Sequence, residues 1–403
     1  MSKPIFQKKV IGELINAVGE SNMNTLSCVG DINGDGRPDF VACGRNGTMA
    51  WFENKGDEWA AHHIAHVSGQ ECGGRAADLT GNGFPDVING SDHTGDEMCW
   101  WENTGKFDGE WTRRVIAKTG RGQMHDTVIG EIKGDGVKYL AFTNQSGNFA
   151  KEGTTIWCVP IPADPYQSPW PGLEAVAEGK RLPNPRHTWN PAGVQPEEGL
   201  ALGDVDGDGR PELVCGTSYY KWAGGKWEAV RFTDKNYITC KIAIADIDGD
   251  GRNEIVLAEG DAYIYGHDEG GKLAWFKDTG GAFWEERVVE TGLLDVHSLA
   301  VADLCGNGRA DIFAGEIGVI ARNSDCEDYI IRQPRLMVYE NDGSGNFCTR
   351  YIIDEGTGVH EAALVDLDGD GRLDIVGKPL HGPEQWKIHA WYAGNLDKTE
   401  PRA

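Results

Sequence analysis

An all-β fold, a seven-bladed β-propeller, is predicted by three observations. An acidic, glycine-broken decapeptide occurs seven times, short apolar strands flank every copy, and the first strand-like segment of the chain has the pattern of a unit's last strand. The copies read DINGDGRPDF from Asp31, DLTGNGFPDV from Asp78, EIKGDGVKYL from Glu131, DVDGDGRPEL from Asp204, DIDGDGRNEI from Asp246, DLCGNGRADI from Asp303 and DLDGDGRLDI from Asp366. Their first acids lie 42 to 73 residues apart, and a strand-rich period of about 40–50 residues marks a propeller or solenoid.

Each unit has one grammar. An apolar strand such as SLAVADL enters the acidic loop and a second, such as DIFAGEI, leaves it. A third carries aromatics (MAWFENKG, MCWWENTG, KLAWFKDTG, RLMVYENDG), and a fourth reads WTRRVIA, WEERVVE or FCTRYII. Four short strands make one blade. FQKKVIG, at residues 6–12, has the fourth-strand pattern but precedes the first unit, whereas the last unit stops at a third-strand segment, KIHAWYAGN. The N-terminal strand is therefore expected to complete the seventh blade, leaving no open edge. Residues 1–403 read as one propeller domain. The proline-rich stretch 159–197 is expected to be a surface insertion, because proline removes donors from a ladder.

The 403 residues are 39% hydrophobic and include 14 Trp, enough for a substantial core, and the 56 Gly suit tight turns. The formal charge of −25 repels phosphate backbones and anionic membranes, which argues against nucleic-acid or membrane partners. No apolar run of about 18 residues is present to span a bilayer. MSKPIFQKKVIGEL lacks the apolar stretch of a signal peptide. The ten Cys are scattered without metal or redox spacing and read as reduced core residues. Together these lean towards an intracellular protein; the oligomeric state is not legible.

Alternating acids around a glycine turn present hard oxygens to one side, which suits calcium. Four loops have full ligand sets: Asp31, Asn33, Asp35 and Asp39; Asp204, Asp206, Asp208 and Glu212; Asp246, Asp248, Asp250 and Glu254; Asp366, Asp368, Asp370 and Asp374. Thr80 and Cys305 replace a ligand in the second and sixth, and Lys133 and Tyr139 spoil the third. The bland alternative is that glycine with Asp or Asn simply makes good turns. The loops resemble FG-GAP/VCBS repeats, as in integrin α-subunit propellers. That resemblance covers nearly the whole chain and implies the propeller fold and structural calcium, without specifying a function.

If the acidic loops end the inner strands on one face, the strand starts should crowd the axis at the other. Counting six back from each first acid gives Thr25, Cys72, His125, Glu198, Cys240, His297 and His360, with Arg75 and Lys241 nearby. Loops after the second strands are expected at the same face and carry His93, Tyr219, Glu259, Glu316, Lys378 and His381, besides Asn144 and Asp261. A fold requirement would repeat one residue type in every blade, and this ring varies. It is read as a funnel site. His297, His360 and His125 with Glu259, Glu316, Arg75 and Lys378 are the catalytic candidates; His93, Tyr219, Glu198, Lys241 and His381 are substrate-binding candidates. The bland alternative is a wet channel mouth with satisfied histidines.

No G-x-S-x-G, Cys/His or phosphate-loop motif supports acyl or phosphoryl transfer. Two histidines can remove a carbon-bound proton and return one to a leaving oxygen, while Arg, Lys or a metal holds the developing charge: β-elimination on a sugar. His297 and His360 could instead hold a second divalent metal at the funnel. WFENKG, VHSLAVADL and VHEAALVDLDGDGRLDIVGKP resemble phrases in carbohydrate-active propellers, namely the propeller part of aldos-2-ulose (anhydrofructose) dehydratases and the rhamnose–glucuronate polysaccharide lyases. That resemblance implies a carbon–oxygen lyase acting on a uronate glycan or a keto or anhydro sugar. The alternative is a non-catalytic carbohydrate-binding or protein-interaction propeller; a lectin would repeat its binding residues from blade to blade.

Overall fold

A computed structural model describes residues 4–394 apart from 17–19, 22, 121, 146–153, 179–197, 236, 264–268, 318–319, 323–327 and 331. Seven four-stranded antiparallel sheets make the blades of a β-propeller. Their inner strands are Asn24–Gly30, Arg75–Ala77, Met124–Gly130, Ala201–Gly203, Cys240–Ala245, Val296–Ala302 and His360–Val365, numbered here as blades 1 to 7. Each inner strand runs into its acidic loop and pairs with the strand leaving it.

The ring closes as the sequence indicates. Phe6–Glu13 pairs with Lys387–Ala393, from Phe6 opposite Ala393 to Glu13 opposite Lys387, as the outer strand of blade 7. Ile11 and Leu14 then bury against Phe40, Phe52, Val376 and Ile388, sealing blade 7 to blade 1. The strand period of two explains the aromatic pairs. In WFEN, Trp51 packs towards blade 2 with Val87 and Trp101, and Phe52 towards blade 7. Both are buried, each stabilising by about 1.5–3 kcal/mol.

Two short devices repeat. The closing acid of the loop turns both oxygens to backbone. Asp39 accepts N–H bonds from Ile32 and Asn54, and Asp374 from Leu367 and Ala393, so one carboxylate ties loop, second strand and third strand together. Asp86, Glu212, Glu254 and Asp311 brace their loops through Leu79, Val205, Ile247 and Leu304. The asparagine ending the third strand reaches the preceding blade: Asn54 Nδ2 donates to Leu367 O, Asn103 Nδ2 to Ile32 O and Asn341 Nδ2 to Ile247 O.

The structure revises the proline-rich insertion. Thr155–Pro160 is the third strand of blade 3 and Glu174–Glu178 its outer strand, so only 161–173 makes the connection between them. Pro160 is tolerated because it ends its strand. Within the connection Trp170 is buried against the Trp100 cluster; residues 179–197 of the expected insertion lie outside the described residues. Blade 6 carries an unforeseen hairpin, Ile320–Arg322 with Asp328–Ile330, between its second and third strands. The nine described cysteines are all free and only Cys348 is exposed. Among the described residues no helix is long and apolar enough to cross a membrane.

Candidate functional site in the axial channel

A cavity of about 370 Å³ occupies the propeller axis, within the range of small-ligand pockets. Its polar lining comes from six blades: Ser27, Arg75, Asp126, Lys241, His297 and Ser298, and Glu361; Leu200, Ile242 and Leu299 supply apolar wall. Further along the strands Ala243, Ala300 and Ala363 are half-buried, whereas His125, His297 and His360 are buried. The cavity thus lies on the acidic-loop side of the histidines. Of the three, His297 reaches the lining and His125 and His360 lie beneath it, not at the open mouth expected on the opposite face.

Four of the inner strands begin with a bulge, between Asn24 and Leu26, Met124 and Thr127, Val296 and Ser298, and His360 and Ala363. A bulge inserts a residue and re-aims side chains. In blade 7 it places Glu361 at φ 56°, a left-handed conformation costly for a non-glycine residue. Glu361 thereby lines the cavity, with Oε2 3.4 Å from Ser27 N and a buried Oε1 without a hydrogen-bond partner among the described residues. Across the axis Lys241 Nζ donates to Asp126 Oδ1 at 3.0 Å. Arg75 spans from blade 2 to Thr127 O of blade 3, its Nε at 3.0 Å.

Beneath this layer the imidazoles of His297 and His360 lie 4.9 Å apart between ring centres, and those of His125 and His360 6.3 Å. Glu198 sits beside them, Oε1 3.6 Å from His125 Nε2 and Oε2 3.9 Å from His297 Nδ1. Burial opposes charge on Asp126, yet Lys241 and His125 outweigh it and hold the carboxyl below its ordinary range. Burial pushes the Glu361 carboxyl up. Burial, reinforced by His297 and Lys378, holds His360 well below the usual histidine value. In His125 burial is overcome by Glu198 and Asp126, raising it to about 9.

Of the residues singled out from sequence, His125, His297, His360, Glu198, Lys241 and Arg75 converge at the axis. The rest do not line the cavity. Glu259 accepts the N–H groups of Ile238 and Lys272, and Glu316 is clamped by Arg332 and Arg335; both brace their blades. Lys378 donates to the carbonyls of Asn24 and Thr25, joining blade 7 to blade 1. Tyr219 is core, against Phe232 and Trp284. His93 is exposed beside Asp92, and His381 is half-buried away from the cavity lining. Asp126 and Glu361 were missed. The available signal was the column one residue nearer the loop, where Asp126, Lys241, Ser298 and Glu361 stand beside Leu26, Gly73 and Gly199.

The acidic loops differ in their fit to calcium. In blade 1, Asp31 accepts the N–H groups of Asp35 and Gly36, Asn33 Oδ1 accepts that of Asp35, and Asn33 Nδ2 donates to Glu53, which also pairs with Lys55 and His62. In blade 7 Tyr392 occupies the place of Glu53, facing the closing acid of its own loop; Asp366 accepts the N–H groups of Gly369 and Gly371, and Asp370 pairs with Arg372. These two sets fit a hard divalent cation. In blades 4 and 5 the same place holds lysine. Lys221 Nζ bonds Asp206 at 2.7 Å; Lys277 Nζ bonds Asp248 and, at 2.7 Å, Asp250. There an ammonium competes with an ion for Asp206 and for Asp248 and Asp250, although oxygens of Asp204, Asp206 and Glu212 still converge closely enough to share one. In blade 3 Lys133 bonds Glu174 at 2.5 Å, and Tyr139 donates to Asp135.

Seven carboxylate-rich loops on a ring of four-stranded blades define a repeat propeller with one asymmetric polar cavity on its axis. The FG-GAP-like repeat family matches residues 31–88, 204–257, 246–314 and 320–377, and the chain belongs to that family. No curated protein matches it. Among solved structures, BBS1N, crystallised in complex with ARL6DN, is similar over 96% of this chain and 98% of its own, at 9% identity and a TM-score of 0.50. Sqt1 of Saccharomyces cerevisiae is similar over 98% of this chain and 100% of its own, at 10% identity and a TM-score of 0.50. At such identities the likeness is one of fold.

Proposed function

We propose that this propeller is a carbon–oxygen lyase that performs β-elimination on a sugar, a uronate glycan or a keto or anhydro sugar, in the axial cavity. One observation carries the reading: two carboxylates and two cations, each from a different blade, converge on a single cavity and are not repeated around the ring. A multivalent lectin would repeat them. Glu361, held in a strained bulge with a free carboxylate oxygen, takes the proton α to the sugar's carboxylate or carbonyl. The C–H electron pair becomes the new C=C bond, the β C–O bond breaks, and the leaving oxygen takes a proton from the Lys241 ammonium. Arg75 offsets the charge that develops on the carboxylate or enolate. His297 and His360 support this layer from below.

In the same reading, calcium held by Asp31, Asn33 and Asp35 and by Asp366, Asp368 and Asp370, in loops that Asp39 and Asp374 brace through the backbone, stiffens blades 1 and 7 on either side of the ring closure. Bound there, it supplies structural cross-linking and takes no part in the chemistry. The lyase is tested by incubating the protein with rhamnose–glucuronate glycans, other uronate glycans and 3-keto or anhydro sugars, following the ultraviolet absorbance of a conjugated double bond. Appearance of that chromophore supports elimination. Binding across the panel without any product would instead favour a carbohydrate-binding propeller.

A further inference from the structure

We propose that the axial cavity is single-ended and takes a sugar only end-on, so that the protein acts on free sugars and chain termini and not on the interior of a polymer. The chemical step rests on the lyase reading above; the way the sugar enters does not. The first reason is the closure beneath the cavity. At the level of the histidines the inner residue is buried in every blade, from Thr25 at 0% exposed to Glu198 at 8%. A through-channel would leave these side chains wet. The seams between blades are bonded near the same level. Thr25 Oγ1 donates to Gln70 O at 3.1 Å, Thr127 Oγ1 to Gly73 O at 2.8 Å and Thr143 Oγ1 to Glu198 O at 3.0 Å. Gly199 N donates to Cys240 O at 3.0 Å and Val359 N to Glu316 O at 2.9 Å. His297 Nε2 meets Gly260 O at 2.6 Å, and Lys378 Nζ reaches Thr25 O from blade 7. Each blade is thus tied to the next, and the base of the cavity is sewn shut among the described residues.

The second reason is the wall. Every blade lines the cavity, from Ser27 of blade 1 through Leu200 of blade 4 to Glu361 of blade 7. A polymer held by its middle needs a cleft open at both ends, whereas a closed wall over a sealed base offers one opening. That opening faces the acidic loops. Val29, Ile244, Val301 and Val365, nearer the loops on their inner strands, are half-buried, while the residues level with the histidines are buried. The third reason is size. The cavity volume of about 370 Å³ lies at the small end of the roughly 300–1,000 Å³ of ligand pockets. It has room for a sugar ring or two and not for a length of chain. A glycan can therefore reach Glu361 and Lys241 only with a terminal residue, and must withdraw by the way it came.

The test separates entry from chemistry. Glu361→Gln is titrated by calorimetry with oligosaccharides of a uronate glycan, from the disaccharide upward, and with the intact glycan. Wild type digests the same glycan while chain length is followed by size-exclusion chromatography and the double bond by ultraviolet absorbance. The expected result is one protein bound per chain whatever its length, with an affinity per chain that does not rise with length. Early products are expected to be short unsaturated fragments beside glycan of nearly full length. Turnover of free keto or anhydro sugars alone would support the same end-on pocket. The proposal is overturned if several copies bind along one chain, or if wild type breaks the glycan into long fragments first. It is equally overturned if neither chains nor free sugars bind. The two readings fail separately. One protein per chain without the chromophore keeps the end-on pocket and removes the lyase, whereas the chromophore with internal fragments keeps the lyase and removes the end-on pocket. Should Glu361→Gln misfold by circular dichroism, the binding stoichiometry and product sizes of wild type decide.

Discussion

Replacing Lys277 by methionine should convert the acidic loop of blade 5 from a self-neutralised turn into a calcium site. Lys277 Nζ is 2.7 Å from Asp250 Oδ2 and bonds Asp248. A calcium ion about 2.4 Å from the same oxygens would lie no more than about 5 Å from the ammonium. At an effective dielectric of about 20, a double charge facing a single charge at that distance is disfavoured by about 6–7 kcal/mol. Screening reduces this near the surface, but even a third of it, about 2 kcal/mol, is more than tenfold in affinity. Without calcium, Lys277→Met should be less stable than wild type, because Asp246, Asp248, Asp250 and Glu254 lose their internal cation. With calcium it should recover, and equilibrium dialysis should find one more bound Ca²⁺ per chain than in wild type. Unchanged stoichiometry together with unchanged thermal stability would refute the assignment of Lys277 as the loop's resident cation.

Deleting residues 1–13 should unfold or aggregate the protein. It removes burial of Ile11, worth about 2 kcal/mol, and the outer strand of blade 7 with its backbone bonds at about 1 kcal/mol each, together most of the 5–15 kcal/mol typical of a domain; a soluble truncation with an unchanged melting temperature would show another closure. His389, held down to about 4 by burial and by Lys8, binds its proton more readily in the unfolded chain. Stability should therefore fall as pH drops from about 6.5 towards 4, by no more than about 3 kcal/mol, and His389→Phe should flatten that part of the pH profile in urea titrations. Lys241→Met strands Asp126 and should lower turnover on a confirmed substrate by about 10²-fold or more; a wild-type rate would remove Lys241 from the chemistry.

The fold was legible because it is written redundantly. Seven acidic loops, the aromatic third strands and the misplaced fourth-strand pattern at Phe6 all point to one ring, and Phe6–Glu13 pairs with Lys387–Ala393 as that pattern implies. The meaning of each loop was less legible. The acid at Asp39 or Asp374 reads as a ligand, yet its two oxygens serve the backbone, and Lys221 and Lys277 enter from a strand distant in sequence. The axial site was half legible. Counting back from the acids found His125, His297, His360 and Glu198, but a count assumes regular strands. The bulges at Met124 and His360 break that regularity, so that Asp126 and Glu361 line the cavity while His125 and His360 do not. Glu259, Glu316 and Lys378 looked free because their partners are backbone groups and arginines that no local pattern reveals.

The most direct measurement of the central claim compares wild type and Glu361→Gln on one uronate glycan, reading binding by calorimetry and double-bond formation by ultraviolet absorbance in the same samples. The expected result is product from wild type and a turnover lower by about 10²-fold or more in Glu361→Gln, with glycan affinity changed far less. Equal turnover in the two proteins would contradict proton abstraction by Glu361. Binding without product in wild type would contradict elimination in the axial cavity altogether.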